Sequence, residues 1–202
     1  MSAERRLWLV RHGETEGQSS IRYHGSNDVP LSDLGRAQIR ALVPWLAAVP
    51  FARVVHSPLS RAAESAAILA DACGLRRDLL TPDPRLREVD FGQCEGLTVD
   101  EIAARFPAFW AEHQAGRTDG FPGGEPRSAF RARIAAAIGE WARADWQGDL
   151  LVVAHRGTVR HALPALLGPE VGNPPQFGVA LASLTVLHEA AGWRLELLGA
   201  VP

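Results

Sequence analysis

The feature that most constrains the fold of this chain is a repeated pattern in which a short apolar run ends directly in basic residues. Residues 7–10 (LWLV) pass into Arg11 and His12, and residues 150–154 (LLVVA) pass into His155. Short runs rich in Leu and Val are typical of buried strands. Helical patterns separate these runs, and this alternation predicts a mainly parallel sheet with crossover helices.

Five runs are predicted as strands. They cover residues 7–10, 53–56, 150–154, 182–188 and 193–198, with a hairpin at residues 189–192 between the last two. Helices are predicted from near Ser32 with Pro44 as a kink or early stop, from Ser57 to Gly74, from Thr98, from about 128 to 144, and from His155 to near Gly168. Ser57 and Thr98 are typical N-cap residues. We therefore expect a three-layer α/β fold with helices on both faces of the sheet.

The domain organisation follows from length and from the distribution of turn residues. A chain of 202 residues suits a single domain, residues 1–202. Within it, residues 86–127 are expected to form a small lid-like insertion over one end of the sheet. Residues 116–127 and 168–178 are rich in Gly and Pro, which favours loops.

Composition excludes several classes of function. The net charge of -2 gives no global positive field for wrapping nucleic acid. Cys73 and Cys94 lack the spacing of a zinc site, so we expect neither a metal nor a cofactor. Only four apolar residues follow Arg5 and Arg6, too few for a signal peptide or a membrane span. We expect a cytoplasmic protein without a membrane partner.

Basic residues follow three of the predicted strands. Arg11 and His12 follow the first, Arg61 falls in the first turn of the helix after the second, and His155 and Arg156 follow the third. Ligands of open parallel sheets bind beyond the carboxyl ends of the strands, where helix N-termini also contribute N–H groups. These residues therefore predict a small cationic pocket that suits a phosphate dianion.

Five stretches of the chain carry a resemblance to a known family. In order they read LVRHGETE, HSPLSRAAESA, LREVDFGQCEGLT, FPGGEP and LLVVAHRGTVR. This succession resembles the signatures of the histidine phosphatase superfamily, which includes the phosphoglycerate mutases, and it extends from Leu7 to about Leu198. The resemblance implies a phosphoglycerate mutase-like fold and a metal-independent phosphatase that forms a phosphohistidine.

The resemblance also implies the roles of the first catalytic residues. His12 would be the nucleophile, since a neutral imidazole nitrogen can attack phosphorus. Arg11 and Arg61 would clamp the phosphoryl oxygens with planar, bidentate hydrogen bonds. Without the resemblance, His12 could equally be a surface histidine in a turn, and Arg61 a solvated helix arginine.

Two further catalytic roles follow in the same way. His155 matches the family's second catalytic histidine, and the alternative is a neutral histidine in the core. Glu88 matches the general acid that protonates the leaving alkoxide and then activates water. The alternative for Glu88 is a solvated charged loop, with Glu14 as the fallback acid.

Four positions are candidates for contacts with the substrate. Gln18 stands where the family usually has Asn, and His24 and Gly25 where it often has Gln-Gly or Thr-Gly beside the substrate. Arg156 replaces the glycine that usually follows the second histidine; it either adds a cation at the pocket mouth or points to water. Pro126 replaces the serine common after Gly-Gly-Glu.

The sequence is consistent with three functions. A phosphomonoester hydrolase comes first, because a mutase needs a second set of cations and residues 98–124 contain only Arg105 and Arg117. The alternatives are a phosphoglycerate mutase and a non-catalytic module that binds phosphorylated ligands. Among phosphatases the chain is most similar to the α-ribazole phosphatase branch, which implies α-ribazole 5'-phosphate or a sugar phosphate as substrate.

The expected partner is a small phosphorylated metabolite, and a homodimer is considered beside a monomer. Five aromatic residues in the expected lid either stack on the substrate or form part of the core: Phe91, Phe106, Phe109, Trp110 and Phe121.

Overall fold

The computed structural model describes residues 5–171 and 177–202 of the chain. Within them the strands are β1 (Arg6–Arg11), β2 (Phe51–His56), β3 (Leu80–Pro82), β4 (Asp149–Ala154), β5 (Leu184–Glu189) and β6 (Trp193–Ala200). The α-helices are α1 (Asp33–Ala41), α2 (Val43–Leu46), α3 (Ser60–Ala72), α4 (Val99–Arg105), α5 (Pro107–Gln114), α6 (Arg127–Arg143) and α7 (Arg156–Leu167). Short 3-10 turns occur at Arg77–Leu79, Pro84–Leu86, Gly92–Cys94 and Pro169–Val171.

The strands form one sheet in the order β3-β2-β4-β1-β5-β6. Strands β3, β2, β4 and β1 are parallel, whereas β5 and β6 pair antiparallel at the other edge. The predicted mainly parallel sheet is therefore confirmed, with the hairpin at its end. Strand β3 was not predicted, because three residues ending in Pro82 carry little strand signal of their own.

Both faces of the sheet are covered by helices. Leu9 of β1 packs in a cluster with Ile134 of α6 and Leu163 of α7. The next residue, Val10, packs in a second cluster with Ile39 of α1 and Leu69 of α3. Successive side chains of a strand point to opposite faces, so one apolar run supplies both cores. The expected three-layer arrangement is confirmed.

The helix boundaries differ from the prediction mainly at Ser57. The predicted helix from Ser57 to Gly74 is α3, which begins at Ser60. The Ser57 hydroxyl accepts a hydrogen bond from the Leu59 amide (3.3 Å) and also lies 2.7 Å from His155 Nε2. Ser57 therefore contacts the residue that follows β4 instead of acting as the N-cap of α3. Because this contact joins distant segments, the sequence alone could not predict it.

The other predicted helices are confirmed within a few residues. The first pattern is divided into α1 and α2 at Leu42, with Pro44 in the first turn of α2. Thr98 forms the expected capping box with Glu101. Helix α7 ends at Leu167, and Gly168 follows with a φ of 94°. The predicted loop at 168–178 lies partly outside the described residues.

Residues 86–127 contain α4, α5 and the loops around them. The two ends of this stretch are joined by backbone hydrogen bonds from Gln93 to Pro122 (2.9 Å) and from Glu125 to Asp90 (3.0 Å). Gly92 allows this contact, since a side chain there would meet the backbone of residues 122–124. Among the described helices, none combines the length and the apolar character needed to span a membrane.

Candidate active site

The sheet brings the predicted basic residues together at the carboxyl ends of its parallel strands. Arg11 is the last residue of β1 and pairs with Ala154, the last residue of β4. His12 and His155 follow these two residues, and their ring centroids lie 5.2 Å apart at 62°. Adjacent parallel strands therefore place two histidines, 143 positions apart in the sequence, in direct contact.

His12 is buried, with 3% of its surface exposed, so it is not a surface histidine in a turn. Its Nδ1 lies 2.7 Å from the Gly13 carbonyl oxygen. A carbonyl oxygen can only accept, so Nδ1 carries the proton and Nε2 keeps a lone pair. Burial, followed by the charges of Arg11 and Arg61, holds the pKa of His12 well below its ordinary value. The ring is therefore neutral and has one nucleophilic nitrogen.

Arg11 is nearly fully buried and has no carboxylate partner among the described residues. Its Nη1 donates to the Val179 carbonyl (2.9 Å), while its buried Nε has no partner there. Burial, and then the charge of Arg156, lowers the pKa of Arg11 to about 9. A buried guanidinium without a counter-charge is costly, which favours binding of an anion at this point.

Arg61 is fully buried, so it is not a solvated helix arginine. Its terminal nitrogens donate to the carbonyls of Asn27 (2.9 Å), Gly25 (2.8 Å) and His24 (3.2 Å). Its buried Nε has no partner in the described part of the chain. Burial lowers the pKa of Arg61. Glu64, which follows one turn later, pairs with Arg36 instead.

His155 is fully buried between the strand end and α7, for which it is the N-cap residue. Its Nε2 is engaged with the Ser57 hydroxyl, and its buried Nδ1 has no partner within residues 5–171 and 177–202. Burial, followed by the charges of Arg61 and His12, holds the pKa of His155 well below its ordinary value. The ring is therefore neutral until an anion lies beside it.

Glu88 is buried at the start of α7 rather than solvated in a charged loop. Its Oε2 accepts from the Gly157 amide (2.8 Å), and its Oε1 accepts from the Val89 amide (3.0 Å). A side chain at Gly157 would place its Cβ 2.3 Å from Oε1, so the glycine leaves the space that the carboxylate occupies. Glu14, the fallback acid, is only half-buried and accepts from the Thr15 amide.

A small cavity of about 170 Å³ joins several of these groups. Arg11, His12, Glu88 and Arg156 line it together with Tyr23. Its size suits a phosphoryl group and little else. Its described lining contains three arginines, Arg11, Arg22 and Arg156, and one carboxylate, Glu88. Glu14 is not among its described lining residues.

The four residues predicted to bind the substrate lie in different surroundings. His24 lines the small cavity, but both of its ring nitrogens are engaged, with the Gly17 carbonyl (2.5 Å) and the Asn27 amide (2.7 Å). The Gly25 carbonyl accepts from Arg61, and its amide donates to Glu95. In this structure, then, His24 and Gly25 support Arg61.

Gln18 and Arg156 are both exposed, but in different surroundings. Gln18 has a left-handed backbone with φ 60°, and it does not line the small cavity among the described residues. Arg156 lines that cavity and the larger one beside it. The arrangement thus favours Arg156 as a cation at the pocket mouth.

A larger cavity of about 670 Å³ adjoins the small one. Both are lined by Tyr23, Glu88, Phe91 and Arg156. Of the five aromatic residues expected in the lid, Phe91 and Phe121 line the larger cavity, with ring centroids 4.9 Å apart. Phe106, Phe109 and Trp110 are half-buried and do not line it in the described structure.

Several residues of this region were missed from the sequence. Ser57, which contacts His155, was interpreted as a helix cap, and Tyr23 carried no motif signal. Glu95 ties the loop beside Arg61 together by accepting from the amides of Gly25, Ser26 and Phe91. The contacts of Ser57 with His155 and of Glu95 with Gly25 and Ser26 join segments far apart in the chain, so they have no local sequence pattern.

At the small cavity the site combines a neutral imidazole with a free lone pair, the buried Arg11 guanidinium and a buried carboxylate. The buried Arg61 and His155 lie behind them and are not among the described lining residues. Such an arrangement can bind a phosphoryl group and transfer it to the imidazole.

Comparison with known proteins gives the same family as the sequence motifs. The family model described as "Histidine phosphatase superfamily (branch 1)" matches residues 7–200. A glucosyl-3-phosphoglycerate phosphatase from Mycolicibacterium vanbaalenii is 34% identical, over 97% of this chain and 95% of the relative. A probable phosphoglycerate mutase from Enterobacter sp. (strain 638) is 28% identical, over 96% and 92%.

Solved structures agree with the sequence relatives. The crystal structure of the α-ribazole phosphatase from Shigella flexneri is similar to this chain, with a TM-score of 0.84 and 25% identity. The match covers 96% of each chain.

Proposed function

The chain belongs to branch 1 of the histidine phosphatase superfamily and is a phosphatase, and from this premise we propose that it hydrolyses a small phosphorylated metabolite through a phosphohistidine on His12. The reaction requires no metal ion, since protein groups supply the nucleophile, the charge and the proton. The observation that carries the proposal is the 2.7 Å contact of His12 Nδ1 with the Gly13 carbonyl oxygen. A hydrogen bond from Nδ1 to this oxygen leaves the Nε2 lone pair available.

In the first step, His12 Nε2 attacks phosphorus, and the bond from phosphorus to the leaving oxygen breaks. Arg11 and Arg61 hold the equatorial phosphoryl oxygens, where charge develops in the transition state. Glu88, as the carboxylic acid, donates its proton to the leaving alkoxide. His155 donates a hydrogen bond to the phosphoryl group and takes up a proton more readily once the dianion is present.

In the second step, water cleaves the phosphohistidine. Glu88, now a carboxylate, takes a proton from the water as its oxygen attacks phosphorus. The bond between phosphorus and His12 Nε2 breaks, and inorganic phosphate leaves. The Gly157 amide, which donates to Glu88 Oε2, holds the carboxylate in place through both steps.

The decisive experiment is a test for the covalent intermediate. With labelled p-nitrophenyl phosphate in EDTA, we expect turnover and an adduct on His12 that is labile in acid and stable in alkali. His12→Ala should abolish both. His188→Ala is the matched control, because His188 lies in β5 and lines neither of the two cavities.

Two results would overturn this mechanism. One is turnover without label on His12, and the other is activity that EDTA abolishes and a metal ion restores. Binding of phosphoesters without any turnover would instead favour the non-catalytic module.

A phosphoglycerate mutase is the second candidate, and the observation that favours it is the similarity to the Enterobacter protein. A mutase must retain its phosphorylated intermediate and return the phosphoryl group to the substrate. Isomerisation of 3-phosphoglycerate that depends on 2,3-bisphosphoglycerate would establish it. Release of phosphate without isomerisation would exclude it.

We propose a class of substrate, small phosphorylated metabolites, and two compounds of this class as the first to test. The relatives' names support glucosyl-3-phosphoglycerate and α-ribazole 5'-phosphate as compounds to test first. We also propose that residues 86–127 act as a lid-like part of a single domain, since Glu88, Phe91 and Phe121 from this stretch line the cavities. A cytoplasmic location and a homodimer remain predictions.

A further inference from the structure

The larger cavity is lined by four arginines, and one of them, Arg156, also lines the small cavity. Arg127 and Arg131 come from α6, and Arg156 and Arg160 come from α7. The carboxylate among its described lining residues is Glu88, which already accepts two backbone hydrogen bonds. The cavity therefore has a strong excess of positive charge.

The positions of these arginines are unfavourable for the helices that carry them. Arg127 is the first residue of α6, and Arg156 is the first residue of α7. A cation in the first turn opposes the helix dipole. Each also has a second arginine four residues later, and like charges at this spacing repel. Carboxylates at both helix N-termini offset part of this repulsion, since Asp119 accepts from the Ser128 amide and Glu88 accepts from the Gly157 amide. The arginines still place like charges close together on one cavity wall.

Other arginines of the same region form ion pairs, whereas these four form none in the described structure. Arg133 of α6 pairs with Glu125 (2.7 Å), and Arg85 pairs with Asp83 (2.7 Å) and Glu140 (2.6 Å). For Arg127, Arg131, Arg156 and Arg160, the described residues provide no ion pair with an Asp or Glu. Within the described residues, the Arg160 side chain donates to the Phe177 carbonyl (2.9 Å).

The titration of neighbouring groups reflects the charge of these arginines. Hydrogen bonds from Ser128, followed by the charges of Arg127 and Arg131, lower the pKa of Asp119, so this carboxylate offsets part of their charge without forming an ion pair. Burial, followed by the charges of Arg131, Arg127 and Arg160, lowers the pKa of His161 to about 4. Burial, followed by the charge of Arg156, lowers the pKa of Arg160. Three of the four arginines therefore act on His161, which lines the same cavity from α7.

We propose that this arginine cavity binds a second anionic group of the substrate, on its leaving-group side. The inference rests on the proposed phosphatase function and narrows its substrate to phosphomonoesters that also carry a carboxylate or another phosphate. Phe91 and Phe121 line the same cavity and provide apolar surface for the carbon part of such a molecule.

The position of Glu88 fixes the orientation of the substrate. Glu88 lines both cavities and is the proposed proton donor to the leaving oxygen. The phosphoryl group therefore lies in the small cavity by His12, and the remainder of the substrate extends past Glu88 into the larger one. A volume of about 670 Å³ holds a molecule considerably larger than phosphoglycerate.

The proposal predicts a preference between matched substrates. The test pairs are 3-phosphoglycerate with glycerol 3-phosphate, 6-phosphogluconate with glucose 6-phosphate, and fructose 1,6-bisphosphate with fructose 6-phosphate. The first two pairs test a carboxylate and the third a second phosphate. Since one charge-assisted hydrogen bond corresponds to about tenfold or more in affinity, we expect the acidic member of at least one pair to have a kcat/KM at least about tenfold higher.

The double variant Arg127→Gln/Arg131→Gln tests whether these two arginines cause the preference for acidic substrates. It should lower the acidic-to-neutral ratio of kcat/KM at least about tenfold, and the ratio cancels any general loss of activity. Arg143→Gln is the matched control, since Arg143 is an exposed arginine at the other end of α6 without an ion pair in the described structure. Its ratio should equal that of the wild type.

The outcomes separate this inference from the proposed function. If wild-type protein turns over p-nitrophenyl phosphate but shows no preference in any pair, the second anion site is refuted and the phosphatase function stands. A preference that survives in Arg127→Gln/Arg131→Gln refutes the assignment to these arginines. Absence of turnover with every phosphomonoester refutes the proposed function itself.

Discussion

Replacement of Gly157 by alanine would test the role of Glu88 without removing any catalytic group. The new Cβ would lie 2.3 Å from Glu88 Oε1 and 3.1 Å from both Glu88 Cδ and Phe130 Cζ. The carboxylate would have to withdraw by about 1 Å to reach ordinary contact distance, and Phe130 is buried in the core. This movement would break the 2.8 Å bond from the Gly157 amide to Oε2.

A misplacement of this size reduces catalysis by about 100-fold where the group is needed. If Glu88 protonates the leaving oxygen, Gly157→Ala should lower kcat/KM by about that factor for alkyl phosphates, whose leaving groups are strongly basic. The loss should be far smaller for p-nitrophenyl phosphate, because nitrophenolate leaves without a proton. The assay is release of inorganic phosphate from glycerol 3-phosphate beside release of nitrophenol.

Gly139→Ala is the control for this experiment. Gly139 lies within α6, and a Cβ there meets the flexible end of Arg143 at 3.0 Å, so alanine should be tolerated and slightly stabilising. Equal losses of Gly157→Ala on both substrates, or no loss on either, would show that Glu88 does not act as the proton donor.

The remaining predictions concern hydrogen bonding, pH and ligand binding. Ser57→Ala removes the partner of His155 Nε2 and should lower kcat by about tenfold to 100-fold, the equivalent of one lost buried hydrogen bond. Ser60→Ala is the control and should leave kcat unchanged, because the half-buried Ser60 hydroxyl donates to Asp28 and does not contact His155. The pKa values of His12, His155 and His161 are lowered in the folded protein, so the unfolded chain binds more protons below about pH 6.5. The free energy of unfolding contributed by these histidines should therefore be complete above that pH and decrease as the pH falls towards 4. The decrease should be smaller in His161→Gln, and thermal unfolding of both proteins in a series of buffers measures the difference. Inorganic phosphate should raise the melting temperature of the wild type, equivalent to about 2.7 kcal/mol at 100 times its Kd, and Arg11→Gln should remove most of this shift; an equal shift in the variant would place phosphate elsewhere.

Much of the fold was predictable because its signals are local. The apolar runs that became β1, β2, β4, β5 and β6, the capping box at Thr98 and the stop at Gly168 each depend on a few adjacent residues. The prediction that His12 directly follows a strand also depends only on adjacent residues. Parallel strands end at one edge, so strand order along the chain already predicted that His12 and His155 would approach each other.

Other features depended on contacts between distant segments. Three residues form β3 because β2 offers a parallel partner. Helix α3 begins three residues later than predicted, and Ser57 contacts His155 instead of serving as its N-cap. The sequence argument against a second set of cations considered only residues 98–124. The structure supplies four from α6 and α7, outside that stretch.

The sequence by itself determined the strands, the helices and the chemical types at the strand ends. Tertiary structure decided which of those groups lose water, which keep a free lone pair and which charges share a cavity. Arg61 illustrates the difference: its helix position was readable from the sequence, but its complete burial against the carbonyls of Asn27 and Gly25 was not. Desolvation and counter-charge depend on every neighbouring segment, and these neighbours exist only once the chain has folded.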